Sequence, residues 1–459
     1  MSEEKVLPKG WKIAILEDLL DYIQPTEFIV TSTEYDDNYK TPVLTAGKSF
    51  LLGYTNETFG IFTKLPAIIF DDFTTAIKWV NFPFKVKSSA MKILVPTHQD
   101  VNMKYVYYFM ETLRINTDTH KRYWISVGAK TNIPLPPLPE QHRIVAKIEE
   151  LFSSLDKGIE SLKTAQQQLK VYRQAVLKHA FEGKLTEKWR QQQEMDARLP
   201  AGRFEGRFGF AQRPPNSVNE GELPEGWVSI TLGEIISISS GKGLTKANRR
   251  DEGEYFVYGG NGITGKHNEY LFEEEKLIIG RVGVHCGNTH ITKPKSWITD
   301  NAFVVSFDEE RIDLKFLHHL LKVSNLNKYA SSTAQPVISQ GNVYPIKIAY
   351  PKNKTEQHHI VSEIEKRLSV CDKLEESIAT ALQQAEALRQ SILKKAFEGR
   401  LLSEAELNEC RKDPNWEPAS VLLERIRAER ETLTNSVKKK SVKTKKSTKS
   451  KNLNQSKNE

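Results

Sequence analysis

"EQHRIVAKIEELFSSLDKGIESLKTAQQQLKVYRQAVLKHAFEGKLT", Glu140 to Thr186, decides the fold because it comes back almost intact as "EQHHIVSEIEKRLSVCDKLEESIATALQQAEALRQSILKKAFEGRLL", Glu356 to Leu402. The two align without a gap, with 25 identities in 47 positions, and stand 216 residues apart (356 − 140). Upstream, "LPKGW" at Leu7 recurs as "LPEGW" at Leu223 with the same spacing. The 459-residue chain is therefore a tandem duplication, each copy a variable block followed by a shared segment.

The shared segments predict long helices. Ile148, Leu155, Leu162, Leu169 and Val176 recur every seven residues, as do Ile364, Cys371, Ile378, Ala385 and Ile392 in the second copy. A second track runs through Ile144, Leu151, Ala165 and Tyr172, with Gly158 interrupting it. Its counterpart is Ile360, Leu374, Ala381 and Leu388, and Arg367 breaks that stripe. Together the tracks describe the seam of a coiled coil. Pro139 with Glu140 suits a helix start, and Gly183 and Gly399 suit C-terminal caps. Helices of ~42 residues would reach ~63 Å. Antiparallel pairing of two direct repeats gives an approximate two-fold axis, with the variable blocks at opposite ends of a rod. That geometry suits two separated patches on duplex DNA, itself two-fold symmetric.

The predicted organisation is an α+β chain with two recognition-type domains, 1–139 and 223–355, joined by two long helices, 140–183 and 356–399, forming an antiparallel coiled coil. A linker at 184–222, a helical segment at 400–437 and a disordered tail at 438–459 complete it. Both blocks mix β-type runs with turns: "LPAIIF" and "FKVKSSAMKILVP" in the first, "EKLIIGRVGVH" and "NAFVVSF" in the second. Each ends in a helix-like stretch, "VNMKYVYYFMETLR" or "DLKFLHHLLKVSN".

The formal net charge of +8 sits wholly in the tail, which holds nine Lys and one Glu from Lys438 onward. Such a tail can attract phosphate backbones without reading sequence, or serve only solubility. Bulk charge alone does not make this a DNA-binding protein. Three scattered cysteines imply no disulfide framework and fit a reducing cytoplasm. No charged-then-apolar leader and no apolar run of membrane-spanning length is visible, so no membrane partner is expected.

"GGNGITGK", Gly259 to Lys266, contains both G-x-G-x-x-G and G-x-x-x-x-G-K. A dinucleotide or phosphate loop needs a helix starting on the glycines. Here "HNEYLFEEEKLIIG" follows without a helical stripe, and His267 stands where a magnesium-holding Ser or Thr belongs. A β-rich turn series, with Asn261, Lys266 and His267 exposed, is the better reading. "NFPF" at Asn81–Phe84 resembles an amino-methyltransferase loop only loosely and reads as a buried aromatic turn. His285, Cys286 and His290 lack the spacing and fourth ligand of a zinc site. His142, His358 and His359 open the long helices without a recognisable partner carboxylate or nucleophile. No catalytic or metal-binding constellation emerges.

Two variable blocks, each followed by a near-identical helix that begins at "LPPLPEQHRIVAKIE" or "TEQHHIVSEIE" and ends in "AFEGKL" or "AFEGRL", resemble a type I restriction–modification specificity subunit. The resemblance covers residues 7 to 430, including a terminal "SVLLERIRAER" helix; the second copy departs in having "YPKNKTEQ" where the first has "PPLPEQ". It implies a non-catalytic reader of double-stranded DNA. Each block would be a target-recognition domain taking one half of a split, asymmetric site, and the helices would set the spacer. It also implies two methyltransferase (M) subunits and two motor-nuclease (R) subunits as partners. S-adenosylmethionine, ATP and magnesium would be bound by those partners, with no cofactor on this chain.

Base-reading residues do not carry over, because the blocks differ between family members. From chemistry alone the candidates are Lys48, Tyr54, Asn56 and Lys78 in the first block and Lys242, Lys246, Asn261, Lys266 and Arg281 in the second. Arg and Lys can pair with guanine, Asn with adenine, and any cation with phosphate. The rival from another class is a coiled-coil assembly scaffold whose end domains bind proteins.

Overall fold

The computed structural model describes residues 7–45, 49–113, 123–198, 223–245, 252–331 and 335–432; the predicted basic tail lies outside them. In the first block, strands β1 (Lys12–Ile15), β2 (Leu20–Ile23), β3 (Thr41–Leu44), β4 (Leu51–Thr55), β5 (Ala67–Asp71), β6 (Ile77–Val80), β7 (Lys85–Val86), β8 (Met91–Pro96) and β9 (Asn132–Leu135) accompany helix α1 (Met103–Met110). Helix α2 (Leu138–Phe181) follows, then α3 (Glu187–Arg198). The second block holds β10 (Trp227–Thr231), β11 (Ile236–Ser240), β12 (Tyr255–Gly259), β13 (Gly262–His267), β14 (Leu277–Gly280), β15 (Thr289–Ile291), β16 (Ser296–Ile298), β17 (Ala302–Phe307) and β18 (Lys347–Pro351), with helix α4 (Leu314–Val323). Helices α5 (Lys354–Phe397) and α6 (Glu404–Arg411) complete the named elements, and residues 419–432 are also helical. No helix of the described residues is long and apolar enough to cross a membrane.

The two blocks share one topology. The first has a β1–β9 pair, a four-stranded sheet β2-β8-β5-β6 and a three-stranded sheet β4-β3-β7; adding nine to each strand number gives the sheets of the second. Even the parallel pairings correspond, β3 with β7 and β12 with β16. Central strands β5 (AIIFD) and β14 (LIIG) are buried at every position, which is why they read as unbroken apolar runs. The shared topology rests on where apolar residues fall, since the sequences barely correspond.

The chain forms two compact units, each taking one block and one stretch of each long helix. In the first, Ile144, Ile148 and Phe152 of α2 pack with Ile392, Leu393 and Ala396 of α5 and with the block's own Tyr105 and Phe109. Helix 419–432 adds Leu422, Leu423 and Ile426 to that core. In the second, Ala180 of α2 and Ile360 and Ile364 of α5 join Phe316, Leu317 and Leu320. Within each unit the two helix stretches run antiparallel, and one ion pair makes this plain. Arg389 pairs with Asp156 in the first unit; Arg173 pairs with Asp372 at 2.6 Å in the second. Asp372 and Arg389 are the repeats of Asp156 and Arg173, so each helix supplies the acid once and the base once.

Of the seam positions, Ile148, Val176, Ile364 and Ile392 are buried; Leu155, Leu162, Leu169 and Ile378 are half-buried. The second track departs from expectation: Tyr172, Leu374 and Leu388 are 45%, 48% and 51% exposed. Near its ends each helix is covered by a block as well as by its partner helix. The helices also begin two residues earlier than expected, at Leu138 and Lys354.

The recurring "LPxGW" and "EQ" motifs form the joint between block and helix. The Trp11 indole donates to Glu140 at 2.8 Å, and Trp227 repeats this to Glu356 at 3.1 Å. Gln141 and Gln357 donate to the carbonyls of Pro136 (2.9 Å) and Pro351 (3.0 Å). The cap glycines close the frame: Gly183 and Gly399 adopt positive φ, and a Cβ on either would collide with the ring of Pro224 or Pro8. The further donors differ. Glu140 also takes the Trp416 indole (3.0 Å), whereas Glu356 takes the Thr186 hydroxyl (2.8 Å) and Arg190 (2.5 Å).

Helix α6 starts with a capping box. Ser403 N–H and hydroxyl each donate to Glu406 at 2.9 Å, and Arg143 approaches it at 2.6 Å. The Ser403 backbone N–H first, then Arg143 and the Ser403 hydroxyl, hold the Glu406 carboxyl down to about 2. A depressed carboxyl stabilises above its ordinary value of 4.5 and loses that contribution as pH falls through 2. Glu406→Ala is expected to cost about 1 kcal/mol at neutral pH. In thermal melts the difference from wild type should shrink below pH 4.5 and vanish near pH 2; an unchanged difference would exclude the ionised carboxylate as its source.

Candidate nucleic-acid interface

The "GGNGITGK" stretch is a β-hairpin. Gly259 pairs with Gly262 across a two-residue tip, and Lys266 pairs with Phe256 on the neighbouring strand. Gly262 to His267 form strand rather than the helix start a phosphate loop requires, and Lys266 lies with its ammonium 5.7 Å from the Phe256 ring.

The sheet β13-β12-β16 sorts the cationic candidates by strand alternation. Phe256 carries Lys266 on its ring at 5.7 Å and Lys293 at 4.6 Å, so these two ammonium groups share one aromatic floor. Trp297 is in register with Val257 and so points to the opposite face. There its indole donates to the Lys242 carbonyl (3.0 Å), and the Lys242 ammonium stands 5.7 Å from the ring. Arg281 lies 5.3 Å from the Phe303 ring and donates to Ser240 at 3.3 Å. Asn261 is exposed at the hairpin tip; Lys246 lies outside the described residues. The hairpin region therefore brings Lys266 to Lys293, a residue the sequence reading missed, and separates Lys242 from both.

In the first block, Tyr54 is half-buried on β4, in register with Pro42, and Asn56 is exposed just beyond that strand. Lys78 is exposed on β6, in the other sheet, and Lys48 lies outside the described residues. Next to Asn56, Glu57 accepts from Thr31 N–H (2.8 Å), Thr31 hydroxyl (2.6 Å) and Ser32 N–H (3.0 Å), and faces the buried Lys85 at 2.8 Å. Burial raises the Glu57 carboxyl, but Lys85 and these donors outweigh it and bring it down to about 2. Lys85 also donates to the Phe59 carbonyl at 2.8 Å and lies 4.6 Å from the Phe59 ring. This rigid support leaves Phe59 61% exposed. Phe73, 64% exposed, caps the β5–β6 turn, where Asp71 accepts from its N–H at 2.9 Å. Exposed aromatics on fixed turns can stack on or wedge between bases. Solvation of an aromatic at a turn leaves no signature in a sequence, so both escaped notice there.

The remaining sequence candidates have ordinary placements. Phe84 of "NFPF" is buried against Phe62 (5.1 Å), although Phe82 is 38% exposed. Cys286 is buried near Asn327. Contrary to expectation, His358 does face a carboxylate, Asp313 at 3.3 Å, which caps α4; that partner comes from tertiary packing rather than from any local pattern. His359 stacks on Trp189 with ring centroids 5.5 Å apart.

Comparison with known proteins follows the duplication. The model of the type I restriction modification DNA specificity domain matches residues 8–170 and again residues 224–384. The EcoR124I/EcoR124II specificity subunit of Escherichia coli is 48% identical over 147 residues, covering 31% of this chain and 36% of that protein. The EcoBI specificity subunit of Escherichia coli is 25% identical over 394 residues, covering 78% of each. The match to the first of these thus spans about a third of its length. A solved chain described under "Structural basis underlying complex assembly and conformational transition of the type I R-M system" shares the fold, with a TM-score of 0.61, 18% identity, and coverage of 86% of this chain and 100% of that one. With two matched domains spanning most of its length, the chain belongs to the family of type I restriction–modification DNA specificity proteins.

Proposed function

We propose that this chain is the DNA-reading subunit of a type I restriction–modification complex, each block reading one half of a bipartite site. The observation that carries the reading is the pairing of sameness and difference. The frame of β1–β9 and β10–β18 pairs, buried glutamates and long helices is built twice. The surfaces mounted on it differ: exposed Phe59 and Phe73 in one block, Lys266 and Lys293 over Phe256 in the other. Duplication that keeps the mount and varies the surface is what reading two unlike half-sites requires.

On this reading the chain is non-catalytic. The helices fix the unspecified spacer, and two methyltransferase and two motor-nuclease subunits dock on the frame. S-adenosylmethionine, ATP and magnesium belong to those partners. Lys242, Lys266, Asn261, Arg281, Tyr54, Asn56 and Lys78, with Lys293, Phe59 and Phe73, are the residues proposed to meet DNA. A protein-binding scaffold would account for the helices but not for the cations poised on aromatic floors. Binding to labelled duplexes, with the methyltransferase partner present, separates the two. The reader should prefer its own site and lose about 10³-fold or more in affinity between 50 and 200 mM salt. Salt-insensitive or sequence-blind binding would favour the scaffold.

A further inference from the structure

The second block contains a recess of about 790 Å³ between the hairpin tip, edge strand β15 and the C-terminal end of α4. Its polar lining includes Asn261, Asn288, Thr289, His290, His318 and Lys322, and none of the described residues lining it is acidic. Thr289 is only 8% exposed, yet its hydroxyl has no hydrogen-bond partner among the described residues; the same holds for His290 Nε2. Gly262, at φ 91°, brings the hairpin against the His290 ring, where a Cβ would stand 3.4 Å from Cε1. Burial first, then His319 and Lys322, push His318 down to about 4, and burial with Lys322 also lowers His290; Lys322 is the cationic side chain of the described lining.

The first block carries a recess of different charge at the corresponding helix: about 570 Å³, lined by Tyr107, Glu111, Glu149, Asp156, Glu160 and Arg389 among others. Helices α1 and α4 align by their caps: Asn102 accepts from Tyr105 N–H at 3.1 Å and Asp313 from Phe316 N–H at 2.8 Å. Lys104 and Lys315 then correspond, and each pairs with the equivalent glutamate, Glu149 or Glu365. The same register sets Tyr107 against His318 and Glu111 against Lys322. In the first block Trp79 of edge strand β6 lies against Tyr107 with the rings tilted at 60° (centroids 5.8 Å apart), and the Tyr107 hydroxyl donates to Glu111 (2.8 Å). The described lining is thus mainly acidic in one block and free of acids, with Lys322, in the other.

We propose that the recess receives a phosphate group of the DNA backbone, with Lys322 at its mouth and Asn261, Asn288 and Thr289 donating to the phosphate oxygens. The second block thereby carries an anion clamp, whereas the corresponding recess of the first block, lined by Glu111, Glu149, Asp156 and Glu160, would repel the same group. This inference rests on the DNA-reading assignment above.

The test is equilibrium binding of a labelled duplex to the full chain with its methyltransferase partner, across a salt series. Lys322→Ala should weaken binding about tenfold at low salt and reduce the slope of log affinity against log salt by about 0.9. Lys322→Arg should keep the slope, and Thr289→Val should weaken binding without changing it. Sequence preference should be unaltered throughout. Unchanged affinity and slope in Lys322→Ala, with wild type still sequence-specific, would overturn the clamp and leave the DNA-reading assignment standing. A wild-type complex with no affinity for duplex DNA would overturn both. If inorganic phosphate raises the Tm of wild type but not of Lys322→Ala while duplex binding is equal, the recess holds free phosphate and the DNA clamp is refuted.

Discussion

Glu356→Ala is expected to be among the most damaging single substitutions in the chain, costing about 3–5 kcal/mol. The carboxylate is 3% exposed and collects the Trp227 indole, the Thr186 hydroxyl and Arg190. Removing it leaves a guanidinium that is only 16% exposed without its counter-ion, and strands a buried indole N–H and a buried hydroxyl. Glu140→Ala should cost less, about 2–4 kcal/mol, because two neutral indoles rather than a cation lose their acceptor. Glutamine separates the two sites. Each Glu140 oxygen accepts one indole, so Glu140→Gln sets an amide N–H against one of them and should recover only part of the loss; Glu356→Gln keeps the one oxygen that takes Trp227 and Thr186 but deprives Arg190 of its charge partner. Because the chain forms two units, a single unfolding midpoint would blur the outcome. Hydrogen exchange resolves it: Glu356→Ala should expose amides of the second unit and Glu140→Ala those of the first. Equal, chain-wide loss of protection from either variant would contradict separate joints.

Exchange of the second block has the largest functional effect. Replacing residues 223–355 with the corresponding block of another family member, cut at the "LPEGW" turn and before Glu356, leaves the helix side of the joint, Gly183, Glu356 and Gln357, in place to receive the incoming motif. Trp227 and Gly226 belong to the motif itself, and Gln357 stays with the helix. The exchanged protein should assemble normally and specify a site in which one half is new, while the other half and the spacer length are kept. If both halves changed, or neither did, reading would not be divided between the blocks.

Much of this architecture was legible because repeats survive where geometry is exacting. The joint needs Trp, Glu, Gln, a turn and a cap glycine at fixed places, so those residues recur at one spacing. The seam was legible for the same reason, although Tyr172, Leu374 and Leu388 of its second track prove solvent-exposed. The common topology of the blocks was not legible. It depends on buried strands such as AIIFD and LIIG, which satisfy the same environment with different residues. The candidate surface was legible only in part. Lys266, Arg281 and Lys242 announce themselves as cations in turn-rich stretches, but their aromatic neighbours, the Lys293–Phe256 contact, the prop that Lys85 gives Phe59 and the exchange of Glu111 for Lys322 are tertiary facts.

The most direct measurement is genome-wide adenine methylation, read by single-molecule sequencing, in a host carrying the intact gene, its deletion and the exchanged block. The intact gene should yield one split motif, two short specified parts around a fixed gap, that disappears on deletion and changes in one half on exchange. A methylome indifferent to all three, with the methyltransferase partner expressed, would contradict the assignment of this chain as the reader.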